Sequence, residues 1–410
     1  MSAQTGRFSY AEGGVVAPEG FLAAGVTAGI KKNGKRDVSL IVADGGAVPA
    51  ASVFTLNSMA AAPVLVSRSH VSSGRIRAIV VNSGNANACT GENGLADAHA
   101  MARAAADALG CEASDVLVAS TGIIGVAMPM DAVLAGISDA AEGLDSSQAA
   151  GDAAAEAIMT TDTFLKQTAL SVDAGGVRYT VGGIAKGSGM IMPNMATMLA
   201  FLTTDAPLTS EACQAALTSA VDATFNRITV DSDTSTNDMC SLMASGAAGG
   251  EDIDPGSAAL PIVAAAVREV CGELARMIVR DGEGATKFIT VTVKGAASES
   301  DAEAAAMCVA NSPLFKTAIF GGDANWGRVV MAVGKSPAIV DPGGIEVVFA
   351  GITMCKDGTG FAFDEKAASA ALGEPEIEVV VDLHVGDFEA TVWTCDLSYE
   401  YVRINGEYRT

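Results

Sequence analysis

The 410-residue sequence predicts a layered α/β or α+β sandwich with two closely packed lobes. Three observations support this fold class. Half of the residues are hydrophobic, so the chain can bury a large core. The chain is longer than a single core usually holds. Strand-length apolar runs alternate with helical patterns in some regions and follow one another directly in others, which argues against a plain doubly wound sheet.

The first half of the chain is predicted to alternate strands and helices. Buried strands are expected at 37–43, 76–82 and 115–119, helices at 95–109, 129–141 and 147–159, and a strand pair at 167–173 and 177–185. The strand pair turns at Gly175-Gly176. Two strands end in loops rich in Asn, Ser, Thr and Gly, at 82–91 and 120–125. Backbone N–H groups in such loops can form an anion or oxyanion site.

The second half begins with an almost unbroken apolar run at 198–204, which is typical of a strand buried on both faces. Helices are expected at 208–221, 235–246 and 257–280, and strands at 287–293, 377–384 and 389–395. The last two strands are predicted to form an extended pair.

Composition excludes several classes of function. The net charge of -23 argues against binding to a nucleic-acid backbone, which needs clustered Lys and Arg. The N-terminus lacks an apolar signal segment, and no apolar run reaches the roughly 18 residues that span a bilayer. The eight cysteines form no Cys-x-x-Cys pair, which fits a reducing compartment. We therefore expect a soluble, cytoplasmic protein with neither nucleic acid nor membrane as partner.

Familiar catalytic and metal-binding patterns find little support. The three histidines, at 70, 99 and 384, lie in no nucleophile or ligand pattern, and the acidic run at 251–254 is typical of a solvated loop. Gly187-Ser-Gly-Met lacks the spacing of a P-loop or a dinucleotide fingerprint. Cys89 has no neighbouring His or cation in sequence that would activate a thiol nucleophile. No metal is predicted.

The junction Ala196-Thr197 places a threonine between a Gly- and Pro-containing loop and the strand at 198–204. A hydroxyl nucleophile without histidine can use its own α-amine as base once the preceding peptide bond is cut. With a pKa of about 7.7–8.0, about a quarter of such amines are neutral near pH 7.4, against about one lysine in a thousand. Spacing alone leaves the alternative open that Thr197 is an ordinary strand residue.

Several longer motifs resemble the ornithine acetyltransferase family, also called the arginine biosynthesis bifunctional or glutamate N-acetyltransferase family. They occur in order along the chain, at 82–91, 120–125, 186–205, 281–288, 322–328 and 401–410. The resemblance covers essentially the whole sequence. It implies the layered fold of self-cleaving acetyltransferases and N-terminal-nucleophile aminopeptidases.

The same resemblance implies a role for each matching residue. The chain would cut itself between Ala196 and Thr197 into an α chain of residues 1–196 and a β chain of residues 197–410. Thr197 would be the nucleophile, and Thr121 and Gly122 the oxyanion hole. The implied substrate contacts are Thr160, Lys186, Thr197, Glu283, Asn405 and Thr410.

The implied reaction is ping-pong transfer of acetyl from N2-acetyl-L-ornithine to L-glutamate, with no cofactor, in an assembly of two α and two β chains. Family members differ in whether acetyl-CoA also donates acetyl, and some act in secondary metabolism; the sequence carries no motif that decides either point. Two alternatives stay open. One is a self-cleaved amide hydrolase or aminopeptidase with the same nucleophile, and the other is a non-catalytic amino-acid-binding scaffold.

Overall fold

The structure is a computed structural model that describes residues 8–192 and 198–407. Its strands are β1 Ser9–Ala11, β2 Phe21–Val26, β3 Val38–Ala43, β4 Val48–Phe54, β5 Arg75–Ile76, β6 Ala78–Asn85, β7 Val116–Ile123, β8 Lys166–Ala174, β9 Val177–Lys186, β10 Leu199–Thr204, β11 Ile228–Thr229, β12 Met239–Ala244, β13 Phe288–Ala296, β14 Glu346–Phe349, β15 Ile352–Lys356, β16 Thr359–Gly360, β17 Glu376–Asp382 and β18 Phe388–Cys395. Its helices are α1 Ala62–His70, α2 Gly91–Leu109, α3 Met130–Glu142, α4 Gln148–Ile158, α5 Ser210–Ala223, α6 Leu260–Arg280, α7 Glu299–Ala310, α8 Pro313–Phe320, α9 Trp326–Gly334, α10 Glu365–Ala371 and α11 Tyr399–Glu407.

Two stacked sheets form the larger lobe. The first has the strand order β1-β8-β9-β10-β12-β4-β5, and the second has the order β2-β3-β6-β7. Side chains such as Ile41, Ile79, Phe201 and Met243 come from the facing sides of the two sheets and share one buried cluster. The period-two alternation of a strand explains this, because one face of each sheet points inward.

Helices cover the outer faces of the two sheets. Helices α5 and α6 share a buried cluster with β10 and β12, and α2 and α3 share another with β3, β6 and β7. The layers therefore run helix, sheet, sheet, helix. Strands β6, β7, β10 and β12 are apolar on both faces because each lies between a helical layer and the other sheet.

The smaller lobe is built on a third sheet of order β11-β18-β13-β17-β14-β15-β16. Helices α7, α8 and α9 pack on it around a separate buried cluster that includes Phe315 and Phe349. The α/β layered fold and the two packed lobes predicted from the sequence are therefore confirmed.

One predicted element and one predicted strand pairing are wrong. The segment 235–246 is not a helix, because 239–244 forms strand β12 between β10 and β4. The strands predicted at 377–384 and 389–395 are present as β17 and β18, but they do not pair with each other. Strand β13 lies between them, parallel to β17 and antiparallel to β18.

Across the described ranges, no helix is both long enough and apolar enough to cross a bilayer.

Candidate active site

A cleft opens at the end of the larger sheet where β9 stops and β10 begins. Its volume is about 390 Å³. The residues that line it come from seven separate parts of the chain: Ala86, Thr121, Gly122, Ile124, Thr160, Thr161, Lys186, Gly189, Met190, Ile191, Met198, Leu199, Ser235, Thr236, Asn237, Asp238, Glu283 and Asn405.

Lys186 is the last residue of β9 and lies in the wall of the cleft, paired in register with Leu199 of β10. Its side chain is buried, and burial lowers the pKa of its ammonium while Asp162 acts in the opposite direction. A buried cation beside an open cleft can bind a substrate carboxylate by a charge-assisted hydrogen bond.

Asp162 is a buried carboxyl that holds two backbone segments near the cleft by hydrogen bonds. Its Oδ2 accepts a hydrogen bond from the Thr160 amide at 2.9 Å, and its Oδ1 accepts one from the Gly187 amide at 2.7 Å. Burial opposes ionisation of this carboxyl, but Lys186 and Lys166 outweigh burial and hold its pKa below the usual range. An ionised Asp162 therefore fixes the backbone at Thr160, which lines the cleft, and at Gly187, which directly follows Lys186.

Lys166 is fully buried and neutralises two carboxylates. Its Nζ contacts Asp162 Oδ1 at 2.6 Å and also Asp281 Oδ2. Asp281 in turn accepts a hydrogen bond from the Thr163 amide at 2.9 Å. This buried network connects β8, the end of α6 and the loop that carries Thr160.

Thr121 and Gly122 lie at the carboxyl end of β7, which runs parallel to β6. Gly122 has φ of +133° and pairs with Gly84, and a Cβ on Gly122 would lie 2.4 Å from the Gly84 carbonyl carbon. Only glycine permits both this backbone angle and this close approach. The strand end therefore faces the cleft with backbone and one hydroxyl, as expected for an oxyanion site.

The loop after β9 is held in place up to Met192. The Met190 and Ile191 amides donate to the two oxygens of Asp231 at 2.7 and 2.8 Å, and Thr234 Oγ1 donates to the Met192 carbonyl at 2.9 Å. On the far side of the junction, the Met198 carbonyl accepts from the Met239 amide at 3.0 Å. The last and first described residues around the predicted cleavage point are therefore anchored to the same segment, 231–239.

Glu283 also lines the cleft. Its carboxylate accepts a hydrogen bond from Asn405 Nδ2 of α11 at 2.8 Å, and its amide donates to the Ser188 carbonyl at 2.9 Å. A Cβ on Gly189 would lie 2.4 Å from the Glu283 carboxylate. The absence of a side chain at Gly189 is therefore what lets this carboxylate lie against the loop.

The segment 231–238 contributes residues that the sequence reasoning missed, since it was assigned in part to a helix. Asn237 Nδ2 donates to the Ala86 carbonyl at 2.6 Å and to the Ser120 carbonyl at 2.8 Å, which ties the two Asn- and Gly-rich loops together. Asp238 lines the cleft beside it. The density of Asp, Ser, Thr and Asn in Asp231-Ser-Asp-Thr-Ser-Thr-Asn-Asp238 was a signal for a loop that could have found them.

The cleft brings together the predicted residues that the structure describes, namely Thr121, Gly122, Thr160, Lys186, Glu283 and Asn405. The other predicted positions, Ala196, Thr197 and Thr410, lie outside the described residues. Within 8–192 and 198–407, no group of three or more His, Cys, Asp or Glu side chains is arranged to hold a metal ion.

Comparison with known proteins identifies the family. The model of the ArgJ family matches residues 22–410. The arginine biosynthesis bifunctional protein ArgJ of Symbiobacterium thermophilum is 54% identical over 402 residues, covering 97% of this chain and 99% of that protein. The protein of the same name from Geobacter sulfurreducens is 51% identical over 393 residues, covering 96% and 99%.

A solved structure agrees with these relatives. The crystal structure of arginine biosynthesis bifunctional protein argJ from Bacillus halodurans is 45% identical, with a TM-score of 0.51, and covers 52% of this chain and 100% of that chain. The chain therefore belongs to the ArgJ family and is an acyltransferase enzyme, as its resemblance to that family predicted.

Proposed function

We propose that this protein acts in arginine biosynthesis as a glutamate N-acetyltransferase, which moves acetyl from N2-acetyl-L-ornithine to L-glutamate through an acetyl ester on Thr197. The observation that carries the proposal is the cleft itself. Residues as far apart in sequence as Thr121 and Asn405 line one cavity of about 390 Å³. A cavity of this size fits a single amino-acid derivative.

The charges of the cleft suit an amino-acid substrate. Lys186 offers a buried cation for a carboxylate, and Glu283 offers a carboxylate for an ammonium group. N2-acetylornithine carries both groups, with its acetamide at the carbon next to the carboxylate. Binding at both ends would fix the acetamide between Lys186 and the Thr121–Gly122 strand end.

The proposed reaction has two halves. The Thr197 hydroxyl attacks the acetamide carbonyl, its proton passes to the Thr197 α-amine, and the oxyanion is stabilised at Thr121 and Gly122. The amide C–N bond then breaks, and ornithine leaves with the proton from the α-amine. In the second half, the amine of glutamate attacks the acetyl ester, and Thr197 recovers its hydroxyl.

Formation of the α-amine requires cleavage between Ala196 and Thr197. Two observations support it. Ile191 and Met198, on the two sides of that junction, both line the cleft. The Bacillus halodurans chain matches this chain over its whole length but covers only 52% of it. A chain of that length is expected for one half of a divided protein.

Three incubations of the purified protein test the reaction. We expect N-acetylglutamate from acetylornithine plus glutamate, detected by mass spectrometry, together with an acetyl adduct of 42 Da on the chain that begins with Thr197 when glutamate is left out. Acetate in place of N-acetylglutamate would show that water is the acceptor and that the enzyme is an amide hydrolase. Acetyl-CoA plus glutamate in a separate incubation shows whether the thioester is also a donor.

The oxyanion role of Thr121 predicts a large loss of turnover on removal of its hydroxyl. For Thr121→Val, which keeps the shape of the side chain, kcat should fall about 10²–10³-fold, the equivalent of about 2.7–4 kcal/mol of transition-state stabilisation. Steady-state kinetics with acetylornithine and glutamate measure the effect. Thr121→Ser retains the hydroxyl and serves as the control; a Thr121→Val enzyme that turns over like Thr121→Ser would remove the hydroxyl from the mechanism.

Gly189→Ala should weaken substrate binding without unfolding the protein. The new Cβ would meet the flexible Glu283 carboxylate and push it away from Asn405. A lost charge-assisted hydrogen bond costs about 1.5–3 kcal/mol, so KM for acetylornithine should rise roughly 10–100-fold. Gly45→Ala is the matched control, since a Cβ there has no neighbour within 4 Å. Equal KM values for the two variants would exclude Glu283 from substrate recognition.

The resemblance also predicts that two α and two β chains assemble, and the composition predicts a cytoplasmic protein. We propose both. Light scattering after size-exclusion chromatography measures the assembly, with twice the mass of the 410-residue chain expected.

A further inference from the structure

Asp238 is a buried carboxylic acid in the cleft wall to which the reaction proposed above assigns no role. It immediately precedes β12, lines the cleft, and is only 2% exposed as a residue. Its Oδ2 has no hydrogen-bond partner within the described residues. A buried polar atom without a partner is costly and rare in folded proteins, so it calls for a functional explanation.

The backbone fixes Asp238 beside Met198, the first described residue after the predicted cleavage junction. Strands β10 and β12 run parallel with Leu199 opposite Met239, which places Asp238 alongside Met198. The Asp238 carbonyl accepts a hydrogen bond from the Thr55 amide of the next strand at 3.0 Å. The carboxyl is therefore held next to the residue that directly follows Thr197 in the chain.

The surroundings favour the protonated form of this carboxyl. Burial raises the pKa of Asp238 well above its usual range, and hydrogen bonds from Ser235 and the Met198 amide, together with the charge of Lys186, offset only part of that effect. Lys186 is the charged group among the described residues that acts on it. A protonated carboxylic acid can donate its proton, whereas an ionised one cannot.

We propose that Asp238 is the proton donor of the self-cleavage at Ala196–Thr197. This inference rests on the proposed function, because it assumes that the chain cuts itself there. It concerns the maturation of the chain, a step that precedes the turnover of the mature enzyme.

In the proposed self-cleavage, an ester bond forms as the peptide bond breaks. The Thr197 hydroxyl oxygen attacks the Ala196 carbonyl carbon, and the Ala196–Thr197 C–N bond breaks. The leaving nitrogen takes a proton from Asp238, and Asp238 is reprotonated by the proton that the hydroxyl gives up. The product is an ester between Ala196 and the Thr197 oxygen. Water then hydrolyses this ester, which leaves a carboxylate on Ala196 and a free amine and hydroxyl on Thr197.

A time course of cleavage after cell-free synthesis tests the proposal. Intact-mass spectrometry follows conversion of the full chain into its two pieces. Asp238→Asn replaces the acid with a neutral amide of the same shape that cannot give up a proton, and its cleavage rate should fall about 10²–10⁴-fold. Asp205→Asn is the matched control. Asp205 is a buried carboxyl that flanks the other end of β10, where its Oδ1 accepts from the Thr180 amide at 2.7 Å, outside the cleft.

The outcomes separate this inference from the proposed function. If the wild-type chain is never cut, the proposed function fails. If wild type is cut and Asp238→Asn is cut at the same rate, only the present inference is overturned. Loss of cleavage in Lys186→Met but not in Asp238→Asn would assign proton donation to the lysine instead.

A second measurement covers the case in which Asp238→Asn does not fold. In the wild-type chain, the cleavage rate should fall as the pH rises through the pKa of this carboxyl, because only the protonated form donates. A cleavage rate that stays level or rises as the pH increases would overturn the proposal.

Discussion

Thr197→Ala is expected to leave the protein as one polypeptide of 410 residues and 41.2 kDa that has no acetyltransferase activity. The substitution removes the hydroxyl that attacks Ala196 during self-cleavage and later attacks the acetamide. Without cleavage, the α-amine that serves as base is never formed. The same hydroxyl therefore acts in both steps, and its loss should stop both completely.

A denaturing gel and N-terminal sequencing measure the result directly. Wild-type protein should give two bands, one of which begins with Thr197. Thr197→Ser is the control, because it keeps a hydroxyl and an amine at the same position and should still be cut. The mechanism is wrong if Thr197→Ala is cut like the wild type, or if the wild-type enzyme is active as one uncut chain.

Lys186 is the described group that could compete with the α-amine for the role of base. A lysine with its ordinary pKa of about 10.4 is a poor base at neutral pH, but burial lowers the pKa of Lys186. Activity in a Lys186→Met variant distinguishes the two. If Lys186 only binds the substrate carboxylate, KM rises while kcat at saturation falls much less.

The sequence predicted the elements of the larger lobe well where apolar patterns were long. Strand β3 matches the expected run because its apolar stretch is short and rich in β-branched residues, and helix α2 matches because its apolar residues recur at a spacing near 3.6. Strand β12 was mistaken for a helix. Its residues, Met239-Cys-Ser-Leu-Met-Ala244, have little β-branching, and only their place between two other strands decides the structure.

Some residues of the site could likewise be predicted from the sequence, and others could not. The segment 120–125 could be located from sequence because a strand that runs into a Gly-containing stretch is a local pattern, whereas the choice of Thr121 and Gly122 within it came from the resemblance. Glu283 and Asn405 were predicted through resemblance alone, since nothing local indicates that they meet. Asn237 was missed because its role depends on contacts with loops more than 100 residues away in sequence, such as Ala86. Asp238 was missed because its segment was assigned in part to a helix.

Pairing of the last two strands shows a further limit. Both β17 and β18 were predicted from alternating patterns, but alternation does not name the neighbour of a strand. Strand β13, far earlier in the chain, lies between them. Short loops favour direct pairing of consecutive strands, and here the sheet places another strand between them instead.

Lys166→Met should strongly destabilise the uncut chain. The substitution leaves the carboxylates of Asp162 and Asp281 buried without the cation that contacts both. Removing one partner of a buried ion pair typically costs about 3–5 kcal/mol, because the remaining charge cannot be solvated. Lys186 still acts on Asp162, but it does not contact Asp281. The loss should also loosen Thr160 and Gly187, whose amides bond to Asp162.

Urea unfolding of the Thr197→Ala chain, in which the two halves remain covalently joined, measures this cost as a change in the free energy of unfolding. Lys294→Met is the matched control. Lys294 forms an ion pair with Asp382 at 3.2 Å with half of its side chain exposed, and such surface pairs contribute about 0–1 kcal/mol. If the two substitutions lower the free energy of unfolding equally, the Lys166 ion pairs do not stabilise the backbone around Asp162. Asp162 must then be kept ionised by Lys186 and by its hydrogen bonds alone.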